Sequence, residues 1–231
     1  MPILESLAIF FLRRLFLEAP PVPPDRTREE AFAALFVAQV APGGGGEVAY
    51  KLPYPKHEFL HYAVNHHQVL LHGTNRPDIA VLEPRQQTDY SGRPITAVFA
   101  SGDGIWPLFF AVLNQARFRG SLRNGCFVVG RPGESERCFY FFSVTAAMLA
   151  QGCWTDGNVY LLPRATFALT DKGRVRFDEW ASLETVRPLA RLAVLPEDFP
   201  FLQQVVGHED KESIFTSWLR YKRRIRERAR G

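Results

Sequence analysis

The stretch HEFLHYAVNHHQVLLHGT, residues 57–74, decides how the fold and the site of this chain are interpreted. Its first ten residues have the apolar spacing of a helix, with large side chains recurring every three or four positions. Its last six residues begin with an apolar run typical of a short buried strand. Each half carries histidines, and the chemistry open to a histidine depends on the element that holds it.

The composition predicts a folded protein with a substantial core. The chain has 231 residues, of which 46% are hydrophobic and 19 are Phe. The net charge is +4, but residues 220–231 alone hold seven Lys or Arg and one Glu, so the positive charge is concentrated in a tail. Such a tail can contact the phosphates of a nucleic acid, although no base-reading motif accompanies it.

Three cysteines, Cys126, Cys138 and Cys153, lack the CxxC spacing of redox and metal motifs. We expect them to be reduced thiols of a cytoplasmic protein. The apolar run at the start of the chain is interrupted by Arg13 and Arg14 after about a dozen residues, short of the ~20 that a transmembrane helix needs. No transmembrane segment is predicted.

Composition shifts divide the chain into three parts. Residues 1–46 are predicted to form a helical arm, with helices at 3–17 and 27–41 joined by Pro-rich and Gly-rich connectors. Residues 47–207 form the main α+β domain. Residues 208–231 form a basic C-terminal helix.

Within the main domain the periodicity predicts helices at 56–66 and 105–118 and a loop at 78–93. Together with the terminal helix at 209–229, the pattern predicts the α+β class, with a mixed or antiparallel sheet assembly surrounded by helices. Strands are predicted at 69–72, 95–100, 126–129, 138–144, 159–162, 166–169, 175–177 and 189–194.

The first candidate site is a zinc centre on the helix of residues 56–66. His57 and His61 are four residues apart and therefore share a helical face, and Glu58 can activate a metal-bound water. With His67 the segment reads HExxHxxVxxH, which is similar to a metalloprotease pattern. Val64 stands where that pattern has Gly, and a β-branched residue resists the sharp turn that returns the last histidine to the metal.

The second candidate site is spread over three segments. They are LLHGT at 70–74, AVFASGDGIWPLFFAV at 97–112 and DEWASLETVRPLARLAV at 178–194. As an ordered set they resemble the core of the ADP-ribosyltransferase superfamily, in particular its poly(ADP-ribose) polymerase-like branch. The resemblance implies a split sheet of ADP-ribosyltransferase type and NAD as the substrate.

The same resemblance implies a role for each catalytic position. His72 would bind the ribose hydroxyls, and Phe99 would stack on nicotinamide, although the family has Tyr there. Glu179 would be the catalytic carboxylate, which stabilises the oxocarbenium-like sugar formed when the N-glycosidic bond breaks. Glu184 is a competing carboxylate five residues later.

Further residues are candidates for holding the nucleotide. Gly73 would let the carboxamide approach the backbone, with Thr74 beside it. Arg85 would grip the pyrophosphate. Ser101 and Asp103 lie at the start of the second helix, where free N–H groups attract an anion unless Asp103 itself accepts them.

Three functions therefore remain open. The first is an ADP-ribosyltransferase-like protein that binds NAD and cleaves its nicotinamide–ribose bond, with transfer to a macromolecule or to water. The second is a zinc metallohydrolase. The third is a non-catalytic protein that binds NAD or ADP-ribose without turnover.

Overall fold

A computed structural model describes residues 2–114, 116–117, 120–130 and 136–230 of the chain. Within these ranges it has six α-helices and thirteen β-strands, which confirms the α+β class. The helices are α1 (Pro2–Leu15), α2 (Arg26–Gln39), α3 (Lys56–His66), α4 (Trp106–Val112), α5 (Ala146–Gln151) and α6 (Ile214–Arg228). The strands are β1 (Leu17–Glu18), β2 (Gly46–Glu47), β3 (Val69–Thr74), β4 (Arg85–Thr88), β5 (Pro94–Ala100), β6 (Leu122–Val129), β7 (Arg137–Thr145), β8 (Gly157–Pro163), β9 (Ala168–Leu169), β10 (Val175–Phe177), β11 (Trp180–Ser182), β12 (Ala190–Val194) and β13 (Val206–His208).

The strands form three mostly antiparallel sheets. The first has the order β1-β7-β6-β10, with β13 added in parallel to β7. The second has the order β4-β5-β11-β9, and the third β2-β12-β8-β3. An isolated antiparallel bridge between Leu71 and Ser101 links β3 of the third sheet to the end of β5 in the second. This bridge joins the two sheets that carry the residues of the second candidate site.

The hairpin of β6 and β7 is buried on both faces, because both sets of alternating side chains are apolar. Cys126 and Tyr140 face the main core, together with Val128 and Phe142. Phe127 and Phe139, on the opposite face, pack in a separate cluster under α1 and α6. Residues 131–135, between these two strands, lie outside the described residues.

The third sheet separates the main core from a smaller one. On β3, Leu71 contributes to the main core, whereas Leu70 contributes to the smaller core. On β5, Val98 and Ala100 line the smaller core as well, with Leu82 and Val186 closing it from the loops. Strand alternation thus gives β3 and β8 one face toward each core.

Helix α4 packs directly on β3 and β8 because two glycines leave room for its backbone. A Cβ atom on Gly73 would lie 1.8 Å from the carbonyl oxygen of Pro107, and one on Gly157 would lie 1.7 Å from that of Ala111. The helix is shorter than the predicted 105–118, since Leu113 is extended and bridges Trp154. Residues 115 and 118 of that prediction lie outside the described residues.

The predicted arm of residues 1–46 is an integral part of the fold. Phe32 and Phe36 of α2 are buried in the main core. Leu17 of β1 pairs with Tyr140, and Gly46 of β2 pairs with Ala190. The Pro-rich and Gly-rich segments connect elements that pack on the domain, so they do not separate a free arm from it.

Two further element predictions are corrected by the structure. The predicted loop at 78–93 contains β4, whose four residues are exposed but pair with β5. An edge strand with only polar residues lacks the apolar alternation that identifies a strand in sequence. The predicted terminal helix at 209–229 begins five residues later, at Ile214, where Ser213 caps it by accepting the N–H of Thr216.

Candidate functional site

The structure brings the three segments of the second candidate site onto neighbouring strands. His72 is on β3, Phe99 is on β5, and Glu179 immediately precedes β11. Strand β5 lies between the other two. It pairs with β11, where Phe99 is opposite Ala181, and it meets β3 at the isolated bridge next to His72. Strand pairing therefore brings together segments that are 27 residues apart in sequence (His72 and Phe99) and 80 residues apart (Phe99 and Glu179).

His72 follows directly after Leu71, whose bridge to Ser101 is the backbone pairing between β3 and the end of β5. Its Nδ1 lies 2.8 Å from the backbone oxygen of Phe99. A carbonyl oxygen only accepts, so Nδ1 carries the proton and Nε2 is left as an acceptor. Regular antiparallel pairing beyond Leu71 and Ser101 would give this oxygen to the N–H of Gly73. The imidazole instead takes that position, and the two strands separate beside it.

The imidazole of His72 is held in its neutral form. Burial lowers its pKa, the hydrogen bond to Phe99 opposes this in part, and the positive charge of Arg85 lowers the pKa further. A neutral ring with a protonated Nδ1 has one acceptor, Nε2, for a hydroxyl group. This is the property required of a residue that binds a ribose hydroxyl.

The ring of Phe99 does not lie on the same face as His72. Val98 and Ala100 line the smaller core with Leu70, which shares its face of β3 with His72. Because side chains alternate along a strand, Phe99 points to the opposite face of β5. The predicted stacking of Phe99 on a nicotinamide held by His72 does not follow from this arrangement.

Glu179 is half-buried and its carboxylate is held by two donors. Its Oε1 accepts the backbone N–H of Tyr90 at 3.2 Å and the hydroxyl of Thr170 at 3.0 Å. Burial raises the pKa of the Glu179 carboxyl, the two hydrogen bonds oppose the shift, and Asp89 adds to it. Glu184, the competing carboxylate, is exposed.

Asp178 is a buried carboxylate that the sequence interpretation did not single out. The hydroxyl of Ser101 donates to its Oδ2 at 2.6 Å, and the indole of Trp180 donates to its Oδ1 at 3.1 Å. Burial raises the pKa of Asp178 to about 7, and the neighbouring charge of Asp103 also raises it. Alternation in the Asp-Glu-Trp triplet was the available signal, because it puts Asp178 and Trp180 on the same side of the chain.

Asp103 serves the protein backbone and is not free to bind a ligand. Its Oδ1 accepts the N–H groups of Ile105 at 2.9 Å and of Trp106 at 2.6 Å, which start α4. Its Oδ2 accepts the hydroxyl of Tyr140 at 2.7 Å. The Asp therefore satisfies the free N–H groups itself, and the predicted anion contact at this helix start is not available.

Of the remaining nucleotide-binding candidates, Gly73 and Thr74 lie in packed parts of the protein and Arg85 is exposed to solvent. The space beside Gly73 is filled by the backbone of α4, so helix packing rather than a carboxamide accounts for this glycine. Thr74 is buried, and its hydroxyl accepts the N–H of Arg76 at 3.4 Å. Arg85 lies exposed on β4 and is close enough to His72 to lower the pKa of the imidazole.

A groove lies over β8 and β12 of the third sheet. His72 pairs with Tyr160 of β8, which pairs with Arg191 of β12, so the three residues form a row across one face of the sheet. Tyr160 and Arg191 also line a depression of about 390 Å³. Its other lining residues are Gly44, Gly45, Pro77, Asp78, Ile79, Ala80, Arg187 and Pro188. Two guanidinium groups in a groove of this volume suit a phosphate-bearing ligand.

The histidines of the zinc pattern are not gathered around one point. The ring of His67 stacks on Phe36, with 3.5 Å between centroids. His57 is buried, and burial lowers its pKa to about 4. Glu58, the predicted base, forms an ion pair with Arg28 at 3.0 Å. The alternative zinc centre at His57, His61 and His67 therefore lacks both a shared ligand point and a free base.

The group of potential metal ligands found within the described ranges lies elsewhere. A carboxylate oxygen of Asp103 and the Sγ atoms of Cys126 and Cys138 lie within 4.8 Å of one another. Asp103 already accepts three hydrogen bonds, and the pKa of the Cys126 thiol is raised well above its ordinary value by burial. These groups fit a buried polar packing cluster. All three cysteines of the chain are free.

None of the helices in the described part of the chain combines the length and apolar character needed to cross a bilayer. Comparison of the chain with protein-family models, with curated proteins and with solved structures found no match.

Proposed function

We propose that this protein is ADP-ribosyltransferase-like, binds NAD, and cleaves the bond between nicotinamide and ribose, with transfer to a macromolecule or to water. The observation that carries the proposal is the adjacency of β3, β5 and β11. His72 lies on β3, β5 lies between β3 and β11, and Glu179 immediately precedes β11. The split between β3 and β5 beside His72 supports the split-sheet architecture that the sequence resemblance implies.

His72 and Glu179 divide the chemistry between them. His72 accepts a ribose hydroxyl through Nε2, because Nδ1 is committed to the oxygen of Phe99. When the C1′–N bond breaks, its electron pair leaves with nicotinamide and C1′ becomes cationic. The carboxylate of Glu179 stabilises that charge. An acceptor hydroxyl or water then adds to C1′ and loses its proton.

The groove beside Tyr160 supplies the rest of the binding energy in this proposal. Arg187 and Arg191 contact the pyrophosphate, with Arg191 sharing its charge with Glu47 at 2.9 Å. The row from His72 through Tyr160 to Arg191 spans three strands, which lie about 5 Å apart. A ribose at His72 and a phosphate at Arg191 are thus separated by about 10 Å, within the span of a dinucleotide.

One observation favours a second function, the binding of NAD or ADP-ribose without turnover. Phe99 has no hydroxyl, and strand alternation directs both its ring and the carboxylate of Glu179 to the face opposite to His72. If no other aromatic side chain holds the nicotinamide, the dinucleotide is bound through its ADP-ribose part alone. Turnover separates the two functions.

The experiment measures nicotinamide released from NAD by the wild-type protein and by Glu179→Gln. We expect the variant to lose roughly 10²- to 10³-fold in rate, which is typical for removing one group that stabilises the transition state. Glu184→Gln is the matched control, because it makes the same change at an exposed carboxylate five residues away.

ADP-ribose binding is measured on the same samples by calorimetry. Binding in all three proteins with nicotinamide release lost only in Glu179→Gln supports the enzyme. Binding without release in the wild-type protein supports the second function. Absence of both binding and release contradicts the proposal.

A further inference from the structure

The exposed apolar side chains of this protein are concentrated on two helices. Six of the twelve large hydrophobic residues that are exposed in the described structure lie on α1 and α6. We call this region the α1–α6 surface, and its apolar members are Leu7, Phe10, Phe11, Ile214, Phe215 and Leu219. Single exposed apolar residues are common on proteins, but a cluster of this size marks an interaction site.

On α6 the exposed apolar residues Phe215 and Leu219 begin a stripe that continues into two cations. Phe215, Leu219, Lys222 and Arg226 recur at intervals of four, three and four residues, which keeps them on the same side of a helix. Phe215 and Leu219 are 69% and 75% exposed. The Nζ of Lys222 donates to the carbonyl oxygen of Arg13 on α1. The contact of Lys222 places this stripe next to the C-terminal end of α1.

On α1 the exposed residues form a second stripe, of Leu7, Phe10, Phe11 and Arg14. The opposite side of the helix is already used, since Ile9 and its inward neighbours pack on the cluster beneath α6. The helix is thus apolar on both sides, and its outer side faces no other described element. An apolar outer face on a helix that is already anchored is retained for a partner.

The charge of the surface is strongly positive. Residues 220–230 carry seven Lys or Arg and one Glu. Arg14 and Arg226, which end the two stripes, have no acidic partner among the residues that the structure describes. A second copy of the chain would bring the same positive charges together, so self-association through this surface is disfavoured.

The combination of exposed Phe and Leu with basic residues distinguishes between two anionic partners, nucleic acid and a lipid bilayer. Nucleic acid is bound by basic groups with aromatic rings for stacking, and exposed leucines add nothing to that contact. An anionic bilayer surface offers phosphate groups for arginine and a hydrocarbon boundary for Phe and Leu. Helices of 14 and 15 residues are suited to lie in this boundary.

We propose that the α1–α6 surface docks the protein onto an anionic lipid bilayer. Both helices lie in the plane of the membrane. Their Phe and Leu side chains enter the boundary of the acyl chains, while Arg14 and Arg226 contact lipid headgroups. The docking is independent of the nucleotide site, which is carried by β3, β5 and β11.

The test is flotation of the full chain with vesicles of phosphatidylcholine, alone or mixed with phosphatidylserine. We expect binding to the mixed vesicles that weakens with added salt, because surface charges are screened. Phe215→Ser combined with Leu219→Ser should lower partitioning roughly ten-fold or more, since both side chains lose apolar burial. Leu183→Ser is the matched control, as Leu183 is 70% exposed on a different part of the molecule.

Charge is tested separately. Arg14→Gln and Arg226→Gln should each lower partitioning about five-fold, whereas Lys51→Gln, an exposed cation elsewhere, should not. Equal binding to both vesicle types, or no binding to either, would overturn the proposal. So would a dimer in solution that the double variant dissociates, or tighter binding to single-stranded RNA than to the mixed vesicles.

Discussion

Helix α3 and strand β3 are separated by only two residues, yet they use their histidines in different ways. On α3, His57 is buried, and His67, just after the helix, stacks on Phe36. On β3, His72 has one ring nitrogen fixed by a carbonyl and the other left as an acceptor. The difference teaches that the spacing of histidines alone does not predict a binding site. The surrounding elements must also orient the ring and leave one of its nitrogens available to a ligand.

The largest effect that sharpens this comparison is expected at Gly73, which follows His72. Gly73→Ala would put a methyl group 1.8 Å from the carbonyl oxygen of Pro107, so α4 would have to move off the sheet. We expect a loss of about 3 kcal/mol or more in the free energy of unfolding, measured by urea denaturation. Gly46→Ala is the control, because nothing lies within 4 Å of its Cβ position.

If Gly73→Ala were as stable as Gly46→Ala, the close packing of α4 on β3 would be wrong. The space beside Gly73 would then be open to a ligand, as the family resemblance implies.

The next effect concerns Glu58, the predicted base of the zinc pattern. Its ion pair with Arg28 is largely buried, so Glu58→Ala leaves a buried guanidinium without its partner. We expect a loss of about 3 kcal/mol in the free energy of unfolding. Thermal unfolding of the wild-type protein with and without a chelator checks the alternative, since a zinc enzyme would be destabilised by metal removal.

The result that would contradict this account of α3 is specific. Stoichiometric zinc that stabilises the wild-type protein, together with a stable Glu58→Ala variant, would restore the metal site.

A smaller effect is expected in the pH dependence of stability. Burial lowers the pKa of His57 in the folded protein to about 4, from 6.5 in the unfolded chain. The unfolded state therefore binds the proton first as the pH falls. Above pH 6.5 His57 is neutral in both states, and its titration does not reduce the stability of the protein. As the pH falls from 6.5 to about 4, this titration lowers the free energy of unfolding.

His57→Gln should flatten the stability profile in that window, as measured by thermal unfolding at a series of pH values. His66→Gln, an exposed neighbour on the same helix, should leave the slope unchanged. Equal slopes in the wild-type protein and in His57→Gln would show that His57 is not buried as a neutral ring.

The sequence was sufficient for the elements with a strong apolar pattern. The predicted bounds of β3, β5 and β7 lie within two residues of the observed ones, because buried strands are marked by continuous apolar runs, whereas β6 begins four residues before its predicted start. β4 was missed because its residues are exposed and it exists through pairing with β5. The ion pair of Glu58 could not be foreseen either, since Arg28 lies 30 residues away and reaches it only in the folded protein.

The candidate site was predictable in its order along the chain but not in its side-chain directions. The segments of His72, Phe99 and Glu179 were expected to meet, and their strands are neighbours. The face to which Phe99 points depends on the register with β3, which is fixed by one bridge. The sequence does not single out Asp178, because the burial that raises its pKa and the hydrogen bonds from Ser101 and Trp180 that oppose the shift exist only in the folded protein.

The most direct test of the central claim is thermal unfolding of the wild-type protein, His72→Gln and His61→Gln in the presence of NAD. We predict that NAD at about a hundred times its dissociation constant stabilises the wild-type protein and His61→Gln by ~2.7 kcal/mol. His72→Gln should show a much smaller shift. Stabilisation by zinc that disappears in His61→Gln, with no response to NAD in any of the three proteins, would contradict the account.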